Sequence, residues 1–191
     1  MNKFKTMKNN KKPQLTMIKG GLQCEMEFCR LRIVASPEHS PPFDVDAIAY
    51  EEDTFLIMSA DTEIVDPGKN IMTLMTNLIE IEPEPLGSVK IISGNPIKFL
   101  AIIHDVDREP TWEEEWIENS LREIFLEIEK RKLSSFALPL LGTLYGNIDI
   151  EGFLTILKRI IEKASIKNLR HLWLIVPDRS SRDIINLLKT I

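Results

Sequence analysis

The sequence predicts a single α/β domain with a mixed sheet that is flanked by helices on both sides. Its 191 residues are about the length of one domain. The composition, 43% apolar and 28% charged, is that of a globular chain that buries a core without a disulfide or a structural metal. Strand-type and helix-type patterns alternate through the second half, which is typical of at least partly parallel strand pairing.

The first half contains short elements separated by turns. Residues 22–34 alternate imperfectly between polar and apolar side chains, which predicts a strand or a hairpin. Two short apolar runs follow at 45–50 and 54–58, and we interpret Glu51-Glu52-Asp53 as the turn that separates them.

The second half predicts strands and three helices in alternation. Residues 88–93 and 99–106 are strand-like, and the apolar run at 134–141 predicts an internal strand that is buried on both faces. A helix predicted between the strands at 99–106 and 134–141 has a continuous apolar stripe. Its members are Trp116, Ile117, Leu121, Ile124, Phe125 and Ile128. The remaining elements are a helix at 150–164, a strand at 171–176 and a helix that begins after Ser180.

Charge divides the chain into a basic arm, residues 1–14, and an acidic domain, residues 15–191. Residues 1–12 hold five lysines and no acid, which leaves 19 basic residues against 29 acidic ones in the remainder. The acidic domain argues against a nucleic-acid-binding face, because phosphate contacts require concentrated positive charge. We expect the arm to be a disordered terminus. Contact of the arm with a polyanion such as nucleic acid is the alternative.

Membrane and metal functions are not indicated. No run approaches the roughly 18 apolar residues of a membrane span, and the N-terminus lacks the apolar core of a signal peptide. Cys24 and Cys29 lie in a segment that we interpret as strand, so their side chains point to opposite faces and no disulfide is expected. The cysteines and the three histidines show no metal-ligand spacing. We therefore expect a reduced, cytoplasmic protein without a metal or a cofactor.

The segment with the clearest chemical content is the loop from Pro139 to Asn147, between a buried strand and a helix. In an open α/β sheet, ligands bind beyond the carboxyl ends of the strands, and this loop takes that position. Its glycines would let backbone N–H groups approach an anion, and the following helix would add its positive end. A plain β-to-α turn explains the same residues, because such turns also favour glycine and asparagine.

Four segments resemble the macro domain family, and the resemblance spans roughly residues 30–178. They are similar to the strand before the family's ligand turn, its central strand pair, its second phosphate-binding loop and the strand that closes the adenine side. In that order they are Val45–Ala49, Gly87–Ser93 with Phe99–His104, Phe136–Thr143 with Tyr145-Gly146, and Trp173–Val176 with Asp178. Residues 46–58 also resemble the macro-like N-terminal domain of leucine aminopeptidases.

The resemblance implies a three-layer α/β/α fold that binds ADP-ribose. Some members of the family hydrolyse ADP-ribosyl bonds or deacetylate O-acetyl-ADP-ribose. Asp53 is a catalytic candidate, and the segment near Gly68 is expected to join the loop in a single anion-binding cleft. The implied ligand-binding residues are Asp53, Gly68, Gly142, Thr143, Leu144, Tyr145, Gly146, Asn147 and Asp178.

Several positions depart from the family pattern. Tyr50 and Asp53 stand near the places of two asparagines, and residues 66–70 replace a glycine-rich first phosphate loop. No adenine-binding aspartate is evident at residues 35–38, and Leu144 stands where glycine is common. We therefore expect weak binding of ADP-ribose, a related nucleotide diphosphate or an ADP-ribosylated protein, with little or no catalysis. If the protein is active, it is expected to hydrolyse ADP-ribosyl derivatives. The alternative is a non-catalytic interaction module that has lost the ligand.

Three smaller candidates stay open at this point. His104-Asp105 is either an acid–base pair or a part-buried histidine beside a surface acid. Asp53 either orients a ribose hydroxyl or a water, or is a solvated turn acid. Tyr145 either packs on a ribose or covers the loop.

Overall fold

The computed structural model describes residues 24–58, 82–108, 111–144 and 148–191. They form seven strands and three helices. The strands are β1 (Cys24–Phe28), β2 (Leu31–Ser36), β3 (Ala47–Asp53), β4 (Val89–Ile92), β5 (Ile97–His104), β6 (Ser135–Pro139) and β7 (His171–Ile175). The helices are α1 (Glu114–Arg131), α2 (Ile150–Lys163) and α3 (Ser181–Thr190).

The strands form one mixed sheet in the order β1-β2-β7-β6-β3-β5-β4. The five central strands are parallel, and the two edge strands, β1 and β4, are antiparallel to their neighbours. Strand β6 lies between β7 and β3, and its first four residues are buried. The predicted α/β class, the mixed sheet and the internal position of this strand are confirmed.

The sheet is buried on both faces. Among the described helices, α2 contacts both α1 and α3, while α1 packs against β4 and β5 and α3 packs against β1 and β2. All six predicted members of the α1 stripe are buried, and five of them, all except Trp116, join one core with alternate residues of the strands. Side chains that point to the other face of the sheet, such as Val34, Leu100 and Trp173, are also buried. This is the burial pattern that a three-layer α/β/α fold requires.

Strands β1 and β2 form the predicted hairpin. Cys29 and Arg30 make its two-residue turn, with φ angles of 51° and 67°. Two positive φ values match the twist of the flanking strands, as in type I′ turns. Cys29 therefore lies in a turn, and its assignment to a strand is wrong. Both cysteines are free thiols.

Asp46 ties the start of β3 to the start of β6, at the amino ends of the parallel strands. Its Oδ2 accepts hydrogen bonds from the backbone N–H groups of Ser134 and Ser135, at 2.7 and 3.0 Å, and from the Ser134 hydroxyl at 2.8 Å. Burial opposes ionisation, but these hydrogen bonds outweigh it and lower the pKa of Asp46. The interaction fixes the register between two strands that are 88 residues apart in the chain.

Candidate functional site

A cleft of about 700 Å³ opens at the carboxyl ends of the parallel strands. Strands β3 and β6 are paired at Ala47–Phe136 and Ile48–Ala137, and then they diverge. The walls come from the ends of β2, β3, β6 and β7 and from the residues that follow them. The position is where open parallel sheets bind ligands, and the volume is typical of a small-molecule site.

The acidic triplet Glu51-Glu52-Asp53 continues strand β3, and the prediction that it forms a turn is wrong. Glu52 and Asp53 are fully buried. Burial of adjacent carboxylates is costly unless each is hydrogen-bonded, and here the following turn supplies the donors. Asp53 accepts from the backbone N–H groups of Phe55, Ile57 and Met58, at 2.7, 3.0 and 2.9 Å.

Asp53 therefore holds the turn that follows β3. Its neighbour Glu52 helps, because Oε1 of Glu52 accepts from the N–H of Met58 at 2.7 Å. Asp53 is not among the described residues that line the cleft. The geometry gives it the role of a turn anchor.

Glu51 lines the cleft and reaches across the gap between β3 and β6. Its Oε1 accepts a 2.7 Å hydrogen bond from the backbone N–H of Gly142. Its Oε2 lies 3.0 Å from Nε2 of His104, at the end of β5. The His104 side chain is 4% exposed and the Glu51 side chain 10%. Of the two interpretations of His104, the structure supports a buried histidine, and its acidic neighbour is Glu51.

The loop after β6 uses its backbone donors within the protein. The N–H of Leu141 donates to the carbonyl of Pro139 at 2.9 Å, and the N–H of Thr143 donates to Leu140 at 3.1 Å. The Thr143 hydroxyl also donates to the Leu140 carbonyl, at 2.7 Å. With the Gly142 N–H bound to Glu51, three successive N–H groups of this loop already have acceptors.

Gly142 is required by the backbone and by packing. Its φ is +76°, and a Cβ atom there would lie 2.5 Å from Cδ1 of Ile117 and 3.0 Å from Cγ2 of Ile148. Both neighbours are apolar side chains of the core region. The glycine therefore lets the loop pack against α1, in addition to any close approach of a ligand.

The cleft is acidic. Glu38, Glu51 and Asp178 line it, and none of its described lining residues is lysine or arginine. Nδ1 of His39 and Oδ1 of Asp178 lie 3.5 Å apart, and both side chains are more than half exposed. Strands β2 and β7, which precede these residues, are joined by Trp173, whose Nε1 donates to the carbonyl of Ser36 at 3.1 Å.

Three residues of the predicted ligand-binding set line the cleft: Thr143, Leu144 and Asp178. Gly142 adjoins them, and its N–H donates to Glu51. Leu144 is 74% exposed. Asp53 anchors the turn after β3. Gly68, Tyr145, Gly146 and Asn147 lie outside the described residues.

Sequence reasoning missed Glu38, His39, Met58 and above all Glu51 as lining residues. Position was the available signal for Glu51, because it lies near the carboxyl end of a strand that leads into the cleft. Tyr50 also lines the cleft, and its ring lies 5.8 Å from the ammonium group of Lys98.

The described ranges contain no candidate metal cluster and no candidate membrane-spanning helix. There, no three histidine, cysteine, aspartate or glutamate side chains come together as a metal site. Among the helices of those ranges, none is both long and apolar enough to span a bilayer.

Comparison with known proteins identifies the fold. Residues 67–157 match the family model of the Macro domain. The resemblance to macro domains is thus confirmed, whereas the one to leucine aminopeptidases has no support. No curated protein sequence gives a significant match.

The similar solved structures are macrodomains. A structure titled as the Oceanobacillus iheyensis macrodomain with ADP is 16% identical, has a TM-score of 0.63 and covers 87% of this chain and 94% of its own. A mutant of that macrodomain with ADPR is 17% identical, with a TM-score of 0.62 and coverages of 87% and 97%. The macrodomain of Thermus aquaticus DarG is 18% identical, with a TM-score of 0.52 and coverages of 77% and 98%. At these identities the likeness concerns the fold.

Proposed function

We propose that this chain, which has the macrodomain fold and matches the Macro domain model over residues 67–157, binds ADP-ribose or a related nucleotide diphosphate in the cleft. Binding is weak, in the micromolar-to-millimolar range, and hydrolysis of ADP-ribosyl bonds is slow or absent. The observation that carries the proposal is the open cleft at the carboxyl ends of the parallel strands, bordered by the Gly142 loop.

The comparisons support the ligand class. Two of the similar structures are titled as containing ADP and ADPR. The cleft volume of about 700 Å³ suits a ligand of that size. The predicted lining residues Thr143, Leu144 and Asp178 follow two neighbouring strands, β6 and β7, so one ligand can contact all three.

Two features support weak binding. The N–H groups of Leu141, Gly142 and Thr143 have acceptors within the protein, so a diphosphate gains fewer backbone donors than an open loop would give. Each hydrogen bond to a charged group contributes about 1.5–3 kcal/mol, and two lost donors weaken binding about a hundredfold or more. The acidic lining adds repulsion of an anionic ligand.

Slow hydrolysis follows from the position of Asp53. A general base must come within hydrogen-bonding reach of the water that it activates. The Asp53 carboxylate accepts three backbone N–H groups and faces the turn after β3. It is therefore committed to the fold.

A non-catalytic interaction module is the second candidate. It is favoured by the exposed apolar side chains along the cleft, since Met58 and Leu144 line it and are 38% and 74% exposed. Exposed apolar residues grouped at a groove are common at protein-binding surfaces.

Calorimetric titration of the full chain with ADP-ribose tests the proposal. Leu144→Glu places a negative charge at the cleft on an exposed residue, so it should leave the fold intact and weaken binding several-fold. Leu126→Glu is the matched control, because Leu126 is 70% exposed and lies on α1 outside the cleft.

Three outcomes are informative. Weakened binding in Leu144→Glu with unchanged binding in Leu126→Glu supports the cleft as the site. If the two substitutions change ADP-ribose binding equally, or if neither changes it, the binding site lies elsewhere. No heat from the wild-type protein at millimolar ADP-ribose would refute ADP-ribose binding and leave the interaction module.

A further inference from the structure

We propose that Glu51 is a specificity-determining residue whose carboxylate occupies the anion position at Gly142, so that the cleft gains little affinity from a ligand's diphosphate. The inference rests on the proposed function, because it concerns the same cleft. Its consequence is that the preferred ligand places hydroxyl groups, such as those of a nucleoside or a ribose, where a phosphate would otherwise lie.

The first step is the contact itself. Oε1 of Glu51 lies 2.7 Å from the backbone nitrogen of Gly142, which is the distance of a charge-assisted hydrogen bond. The carboxylate thus does for this N–H group what a phosphate oxygen of a ligand would do. A diphosphate that approaches Gly142 must displace a negative charge or lie beside it.

Glu51 is held in place by a second contact. Its other oxygen contacts Nε2 of His104 at 3.0 Å, and both side chains are at least nine-tenths buried. Rotation of Glu51 away from Gly142 would break both contacts together. Buried hydrogen bonds to charged groups are among the stronger ones in proteins, so a ligand does not displace this carboxylate cheaply.

The neighbouring N–H groups do not replace the Gly142 N–H as donors to a ligand. The N–H groups of Leu141 and Thr143 point to the carbonyls of Pro139 and Leu140. Glu38 and Asp178 add two further acids to the lining. A hydroxyl group is different from a phosphate here, because it donates to a carboxylate and carries no charge to repel.

Two ligands and three variants of the full chain test the inference by calorimetry. ADP-ribose carries the diphosphate, and adenosine is the matching ligand without it. Glu51→Gln removes the charge while it keeps the size, and Glu51→Ala vacates the position at Gly142. Glu162→Gln is the matched control, because it removes one charge at an exposed residue of α2 that does not line the cleft. A thermal melt of each variant shows that it is folded.

We expect the wild-type protein to bind ADP-ribose and adenosine with dissociation constants within about threefold of each other, a difference below 1 kcal/mol. Glu51→Gln should bind ADP-ribose about tenfold more tightly or better, with less than about a threefold change for adenosine. Glu51→Ala should increase the affinity for ADP-ribose by at least the same factor. Glu162→Gln should change either affinity by less than about threefold, because its charge is exposed, screened and outside the cleft.

Each other outcome decides against part of the argument. Wild-type binding of ADP-ribose about tenfold tighter than that of adenosine overturns the inference without any variant, and the proposed function stands. No gain of ADP-ribose affinity in folded Glu51 variants, or an equal gain in Glu162→Gln, overturns it in the same way. Binding of ADP-ribose by Glu51→Gln alone supports the inference and refutes the proposed function of the wild-type protein. If no form binds ADP-ribose, both are refuted.

Discussion

Substitution of Gly142 by alanine tests whether this glycine serves the fold as well as the ligand. The backbone φ of +76° costs a residue with a Cβ atom about 1–2 kcal/mol. The new Cβ would also lie 2.5 Å from Cδ1 of Ile117, and such overpacking costs about 1–3 kcal/mol. We therefore expect Gly142→Ala to lower the free energy of unfolding by about 2–5 kcal/mol, a large part of the stability of a typical domain.

Equilibrium denaturation with urea measures this loss, and a second substitution separates its two causes. Ile117→Val removes the Cδ1 atom that the alanine would strike, at a cost of about 0.5–1.5 kcal/mol in the wild-type background. In the Gly142→Ala background the same substitution also relieves the contact. The double mutant should therefore be more stable than the sum of the single effects by about 1 kcal/mol or more.

Gly94→Ala is the control for loss of a glycine. Gly94 does not have a positive φ, and a Cβ there would meet only the carbonyl oxygen of Pro96, at 3.1 Å. We expect a change below about 1 kcal/mol. A Gly142→Ala protein within about 0.5 kcal/mol of wild type would refute the argument. Strictly additive effects of Gly142→Ala and Ile117→Val would refute the part that concerns Ile117.

Three further predictions concern the turn after β3, the strand register and the N-terminal arm. Asp53→Ala leaves the backbone N–H groups of Phe55 and Ile57 without their acceptor, while the N–H of Met58 keeps Glu52, so urea denaturation should show a loss of about 2 kcal/mol or more. Asp178→Ala, at an exposed residue, should stay within about 0.5 kcal/mol. The pKa of Asp46 is lowered in the folded state, so its ionised form stabilises the fold. This contribution is fully present above the ordinary aspartate pKa of about 3.9, and it is lost as the pH falls through the lower pKa of the folded state. The stability difference between the wild type and Asp46→Asn should thus be larger at pH 7 than near pH 3, and a difference that grows towards low pH would contradict this sign. Deletion of residues 1–12, which have no apolar pattern, should shift the Tm by no more than a few degrees, and a larger drop would mean that the arm packs on the domain.

The sequence predicted the fold well because the apolar pattern is strong in the second half. The α1 stripe and the apolar run of β6 need only local periodicity and length to be identified. The loop after β6 was also located correctly, since a glycine after a buried strand in an α/β chain marks the carboxyl edge of the sheet. Thr143 and Leu144 were found at the cleft for this reason.

The acidic end of β3 could not be predicted in the same way. Three successive acids are unfavourable in a strand by propensity, so local pattern indicated a turn at Glu51–Asp53. What overrides the propensity is tertiary. The donor to Glu51 is the N–H of Gly142, which lies 91 residues further along the chain, and its second partner His104 lies 53 residues away. Without an account of these partners, a buried carboxylate cannot be distinguished from a solvated one.

The same divergence of two strands explains both the cleft and the carboxylate inside it. Because β3 and β6 separate after Ile48 and Ala137, the facing edges of these two strands no longer pair beyond those residues, although β3 still pairs with β5 and β6 with β7. Buried N–H groups without an acceptor are costly, so the space needs either a ligand or a side chain to satisfy them. Glu51 satisfies the N–H of Gly142 from within the chain. The protein thereby stabilises an open cleft in its unliganded form, and the carboxylate that does so then competes with any anion that enters.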